Sequence, residues 1–176
     1  MRNTIIDLAP VPLRRYQKVM NRLDWRLLFV KRLHRNKIKQ AKRVYALINQ
    51  DDFTGSPART FTYLRKIDPF VFEELLLIAF KYKGIKVIRN HAYTGDGGID
   101  GTLVLKDKRK IAIQAKRYQS HINPAHVREF SEIVNKRFDG GLFIHTGKTG
   151  AKSYANLSSH LQLISGNKLI DLLKAT

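Results

Sequence analysis

Between Pro12 and Gly55 the chain has neither proline nor glycine, and Leu13, Tyr16, Met20, Leu23, Leu27 and Val30, then Ile38, Ala41, Tyr45 and Ile48, recur at helical spacing. The pattern predicts one long helix or two. Its polar face is cationic, from Arg14, Arg15 and Lys18 through Arg22, Arg26, Arg35 and Lys39 to Lys42 and Arg43. An amphipathic basic helix of this kind packs its apolar stripe on a larger domain, and its charges are either solvated or set against a polyanion. The segment Asp51 to Arg59, with Thr, Gly, Ser and Pro, reads as a linker.

Asp68-Pro69 opens a second helix, with Asp68 as N-cap and Pro69 at the first helical position. Phe70, Phe72, Leu75 to Ile78 and Phe80 make it apolar nearly all round, so deep burial is expected up to the stop at Gly84. Ile85 to Arg89 reads as a strand. Two further strands, Thr102 onward and Lys110 onward, flank the charged turn Lys106-Asp107-Lys108-Arg109 as a hairpin. Asn123-Pro124 starts a helix that Gly140-Gly141 stops; a strand to His145, a short helix from Gly150, a strand Leu161 to Ile164 and a helix from Asn167 complete the chain. The order α-β-β-β-α-β-α-β-α predicts an α/β domain, a central mixed sheet flanked by helices. Residues 1–60 are assigned to a basic helical extension with its linker, and 61–176 to the α/β domain.

The hairpin brings two polar motifs together. Gly95-Asp96-Gly97-Gly98-Ile99-Asp100-Gly101 precedes it, and Gln114-Ala115-Lys116 ends it. Folding about the midpoint between Asp107 and Lys108 sets Asp100 opposite Ala115, and a shift of one residue sets it opposite Gln114 or Lys116. Cross-strand partners lie roughly 5 Å apart at Cβ, so an aspartate and a glutamine carbonyl could hold one divalent ion with a lysine beside it. Asp96 fits a turn residue better than a ligand. Glu73 and Glu74 interrupt the apolar helix; Glu74 is expected to point outward into solvent and Glu73 toward the site. His145, at a strand end, is either a satisfied core residue or a phosphate contact. The histidines show no HExxH spacing, and neither a Walker loop nor a dinucleotide fingerprint is present.

Charge narrows the partner. Lys and Arg total 33 against 14 Asp and Glu, for a net charge of +19, which suggests a polyanion and nucleic acid first. Residues 1–66 carry 16 basic and 4 acidic residues, so the front third is the more basic part. With no cysteine, any metal must be held by oxygen or imidazole. No apolar run approaches the roughly 18 residues of a membrane span, and Asp7 and Pro10 make the amino terminus a poor signal peptide. A soluble, cytoplasmic protein is expected.

Phe72-Glu73, the Gly95 to Gly101 segment, Ile113-Gln114-Ala115-Lys116-Arg117-Tyr118, Gly141-Leu142-Phe143-Ile144 with Thr146 and Ala151, and Leu163 to Leu169 together resemble the Mrr-like branch of the PD-(D/E)XK restriction endonucleases. The resemblance implies a restriction-endonuclease-like core and Mg²⁺-dependent phosphodiester cleavage, with Mn²⁺ as a substitute. By position it makes Asp100 the metal-binding aspartate, Lys116 the catalytic lysine and Glu73 the helix acid, and puts Gln114 where many relatives have glutamate. The Ala115 carbonyl joins Asp100 and Gln114 in an oxygen ligand set suited to Mg²⁺. Arg117, Lys148, Arg22, Arg26, Arg35 and Lys39 are the candidate DNA contacts. His145 departs from the threonine or serine commoner in that pattern, and the front segment does not look like the winged-helix domain that precedes some Mrr-like cores. The expected function is a DNA endonuclease of restriction or defence, with DNA as partner, no membrane and room for a homodimer. A structure-selective nuclease such as a junction resolvase, or a non-catalytic nucleic-acid-binding protein, are the rival readings.

Overall fold

The computed structural model of the chain describes residues 25–89 and 98–175, with side chains in the first helix from Arg32 onward. Helix α1, Trp25–Ile48, buries Ala41, Val44, Tyr45 and Ile48. Two short helices follow where a linker was expected, α2 Asp51–Thr54 and α3 Pro57–Leu64. The loop-like composition of this stretch is also a helix start: Ser56 caps α3 by accepting from the Arg59 amide at 3.4 Å, and Pro57 takes the first helical position.

Helix α4, Pro69–Tyr82, begins as expected at the Asp68 cap, whose carboxylate accepts from the Phe70 and Val71 amides at 2.9 and 3.3 Å. Five strands, β1 Lys86–Arg89, β2 Gly101–Val104, β3 Lys110–Lys116, β4 Gly140–His145 and β5 Leu161–Ile164, make one sheet in that order. The first two pairings are antiparallel and the last two parallel. Helix α5, Pro124–Arg137, carries the crossover to β4, α6, Ala151–Ala155, the one to β5, and α7, Gly166–Leu173, follows. Asn123 caps α5 as expected, but the helix ends at an extended Phe138, and Gly140 and Gly141 belong to β4. A Cβ on Gly141 would press on Val134, Phe130 and Leu161, so glycine there lets the strand approach α5 closely.

The sheet divides the core in two. On one side Leu103, Ile111, Ile113, Ala115, Leu142 and Ile144 share a cluster with α4 and α7, and the apolar stripe of α1 packs on α4 beyond them. On the other, Ala112 and Phe143 meet Val127, Phe130 and Val134 of α5. Alternation along β3 follows the strand period of two. Helix α4 is apolar all round because the sheet covers one flank and α1 the other. No helix among the described residues is long and apolar enough to cross a membrane.

Candidate active site

The β2–β3 turn decides how the polar motifs meet. Residues facing each other across it sum to 214, as in Gly101 with Ile113 and Thr102 with Ala112, which is one fewer than folding about the Asp107–Lys108 midpoint would give. The loop is centred on Asp107, with Lys108 in the left-handed region at φ 70° and the Leu105 amide donating to the Arg109 carbonyl at 3.0 Å. Asp100 therefore comes level with Gln114, the register alternative rather than the midpoint one. Its amide donates to the Ile113 carbonyl at 2.9 Å, and its Oδ2 accepts from the Ala115 amide at 2.6 Å. The carboxylate is thus fixed against β3, alongside Gln114 and Lys116.

Gln114 is buried, and among the described residues its Oε1 has no hydrogen-bond partner. A buried acceptor left without a donor is costly, which points to a ligand at that atom. Gly98, at φ 80°, passes so close that a Cβ there would collide with the Gln114 amide nitrogen. That loop glycine and the glutamine beneath it fit only as a pair.

Glu73, in the second turn of α4, is half-buried, and burial together with the Asp100 carboxylate pushes its pKa up to about 8, while Lys116 pulls in the opposite direction. Glu73, Asp100 and Lys116 therefore share one electrostatic neighbourhood at the end of β3. Two carboxylates that resist being charged together, beside an unpartnered amide oxygen, form an all-oxygen set that fits a hard divalent cation. Among the described residues no group of three or more His, Asp or Glu side chains converges, so a cation here would need Gln114 and main-chain carbonyls as further donors.

The raised Glu73 pKa has a stability consequence. The folded protein holds its proton above the ordinary value of 4.5, so between that pH and about 8 the folded state binds more protons than the unfolded one. Stability contributed by this group is fully present below pH 4.5 and falls as pH rises through about 8. Glu73→Gln is expected to flatten that part of the curve, read by thermal melts in chelator at acidic and alkaline pH. An equally steep fall in the variant would exclude Glu73 as its source.

Glu74 is not the outward, solvated residue that sequence suggested. It is 4% exposed, its Oε2 lies 2.8 Å from Arg89 Nε of β1, and its Oε1 lies 3.5 Å from His34 Nε2 of α1. The covering by α1 is what turns this flank of α4 inward. His145 sits beside Lys116 in the β3–β4 register and is fully buried between Tyr118 and Phe143, with Nε2 3.2 Å from Thr149 Oγ1. Burial lowers its pKa to about 4, so it is a neutral core histidine.

Of the candidate DNA contacts, Arg35 and Lys39 are exposed on α1, and Lys148 is exposed in the loop after β4. Arg117 is half-buried, and its Nη1 donates to the Arg65 carbonyl at 2.7 Å. Arg22 and the Gly95 to Gly97 part of the glycine segment lie outside the described residues, as does the side chain of Arg26. Sequence reading missed Arg65, whose guanidinium donates twice to the Thr146 carbonyl, at 3.2 and 2.7 Å. Nothing in the local pattern sets it apart from the other cations of the front segment.

The Mrr_cat family model, described as restriction endonuclease, matches residues 64–173. The type IV methyl-directed restriction enzyme EcoKMrr of Escherichia coli (strain K12) is 29% identical over 120 residues, covering 62% of this chain and 39% of that enzyme. The match thus spans well under half the length of that relative. No solved structure matches the chain. With the family model covering the whole α/β core and the polar motifs meeting at the end of β3, the chain belongs to the Mrr-like restriction endonuclease family.

Proposed function

We propose that the chain is a metal-dependent DNA endonuclease acting in restriction of foreign or modified DNA. The observation that carries this reading is the convergence of Asp100, the unpartnered Gln114 Oε1, Lys116 and Glu73 at the end of β3. Asp100, Gln114 and the Ala115 carbonyl would hold Mg²⁺, with Mn²⁺ as a substitute. When bound, the ion supplies Lewis-acid charge to the scissile phosphate. Asp100 is held in place by the Ala115 amide, so its orientation is set before any ligand arrives. Gln114 brings an oxygen without a charge, so Asp100 would supply the negative charge, and Glu73 would add to it only on losing its proton. Lys116 orients the attacking water and stabilises the charge that grows on the phosphorane.

The test is supercoiled plasmid, methylated and unmethylated, incubated with Mg²⁺, Mn²⁺ or EDTA. Nicked and linear forms that require the divalent ion are expected, and a preference for methylated plasmid would align this chain with its methyl-directed relative. Retained DNA binding without cleavage in any ion and on any plasmid would replace the nuclease reading with that of a binding protein.

The exposed face of α1 gives the reading its second support. Arg32, Arg35, Lys39, Lys42 and Arg43 are exposed, whereas Lys37 turns inward to Asp68 at 2.8 Å. Cations of this kind bind phosphates with a steep salt dependence. Because α1 is part of the core, the charges must be removed without the helix. Arg35→Gln with Lys39→Gln is expected to weaken DNA binding and to lower the slope of log K against log salt by about 0.9 for each phosphate that is no longer neutralised. An unchanged slope in fluorescence-anisotropy titrations would assign these charges to solvent.

A further inference from the structure

The β3–β4 ladder ends at Lys116 paired with His145, yet the chain beyond Lys116 is held more closely than the ladder itself requires. Thr146, fully buried, donates its amide to the Lys116 carbonyl at 3.3 Å. Its Oγ1 accepts from the Tyr118 amide at 2.9 Å and donates to the Tyr118 carbonyl at 3.0 Å. One side chain thereby takes up both main-chain groups of the residue two beyond the lysine. The Thr146 carbonyl in turn accepts both bonds from Arg65, and the Arg65 carbonyl accepts from Arg117 Nη1 at 2.7 Å and Gln119 Nε2 at 3.5 Å. The bonds close a ring from Arg65 to Thr146, to the 116–118 main chain, and back through Arg117 to Arg65.

Arg65 follows α3 directly, and three residues later Asp68 caps α4, whose second turn carries Glu73. The ring therefore joins the two halves of the site: the helix with Glu73 on one side and the strand end with Lys116 on the other. Apolar packing already holds α4 to the sheet through Val71, Phe72, Leu75 and Leu76, each at most 2% exposed. Guanidinium bonds to main-chain carbonyls add direction where packing gives only proximity, and a reacting group needs its supports fixed to a fraction of an ångström.

We infer that Thr146 and Arg65 are positioning residues for Lys116, setting the main chain from which its ammonium reaches the scissile phosphate. The inference rests on the proposed role of Lys116 in cleavage. Thr146→Val keeps the shape and removes the hydroxyl, and Thr146→Ser keeps the hydroxyl. In the full chain, Thr146→Val is expected to lower kcat by about tenfold to a hundredfold, the usual effect of a small misplacement. The DNA Kd should stay near wild type, the melting temperature should fall by a few degrees as the Tyr118 amide and carbonyl lose their partner, and Thr146→Ser should recover most of the rate and of the melting temperature. Arg65→Lys, which keeps the charge and loses the paired bonds, should show the same kcat loss and carries the test if the valine variant melts early.

A second measurement does not depend on cleavage. Acylation of the Lys116 amine by an amine-reactive ester, followed by peptide mass spectrometry, should proceed at a different rate in Thr146→Val and at the wild-type rate in Thr146→Ser. Full kcat in both Thr146→Val and Arg65→Lys, equal loss in valine and serine variants, or unchanged acylation in Thr146→Val would each overturn the inference. Absence of cleavage by the wild type would count against the nuclease reading alone, with the acylation rates still deciding the positioning.

Discussion

Lys116→Ala is expected to reduce plasmid cleavage by about a hundredfold to a thousandfold, the usual effect of removing one preorganised charge from a reacting centre. The lysine ends β3, half-buried, one residue beyond the Ala115 amide that fixes the Asp100 carboxylate and within electrostatic reach of Glu73. Binding should change little, because one cation among 33 Lys and Arg is removed and the salt slope falls by at most the share of about one phosphate. The split is the diagnostic result: near-normal affinity by anisotropy, with cleavage lost in every divalent ion. The variant should also raise the Glu73 pKa further, since Lys116 is the group that holds it down. Undiminished cutting by Lys116→Ala would sink the site assignment and detach the family resemblance from its chemistry in this chain.

The elements after Asp68 could be read from the chain because local signals and the global fold agree there. Asp68-Pro69 and Asn123-Pro124 cap and start their helices, and strand alternation separates the two sides of β3. The hairpin was legible as a hairpin but not in register. A three-residue tip with Lys108 in the left-handed region is odd-numbered, and nothing in Lys-Asp-Lys-Arg signals that a lysine will take that conformation. Gln114, Lys116 and Glu73 stood out as polar residues where apolar ones were expected, Asp100 drew notice only because the hairpin set it against Gln114 and Lys116, and their roles came from the family resemblance. Arg65 carried no such signal, and Thr146 entered only as part of the resemblance pattern, with no role attached. The two are 81 residues apart in sequence, and only the fold brings the residue after α3 beside the loop after β4. The α2–α3 segment was misread because Ser-Pro serves turns and helix starts alike. Glu74 was misread because the surface that covers it, α1, is distant in sequence and amphipathic on its own terms.

Glu74→Ala is expected to destabilise the fold by about 3 kcal/mol, at the lower end of the cost of removing one partner from a buried ion pair. The carboxylate side chain is 5% exposed, while Arg89 and His34 are 23% and 22% exposed, so water reaches both partners and softens the loss. For a domain of this size the change corresponds to a fall in melting temperature of about 6–12 °C. Most of the cost comes from the Arg89 guanidinium left facing an apolar flank, so Glu74→Leu with Arg89→Leu should recover a large part of it. Urea melts of the two single variants and the double variant supply the coupling energy. A loss below about 1 kcal/mol in Glu74→Ala would place the pair in the range of solvated surface bridges and leave α1 held to α4 by its apolar stripe and the Lys37–Asp68 contact. The same substitution bears on the site, because Glu74 is one of the charges that raise the Glu73 pKa. Glu74→Ala should therefore lower the pH at which Glu73 gives up its proton. The ion pair that holds α1 and β1 to α4 thus also helps keep the neighbouring carboxyl protonated, and structure and site chemistry meet in two consecutive glutamates on one helix.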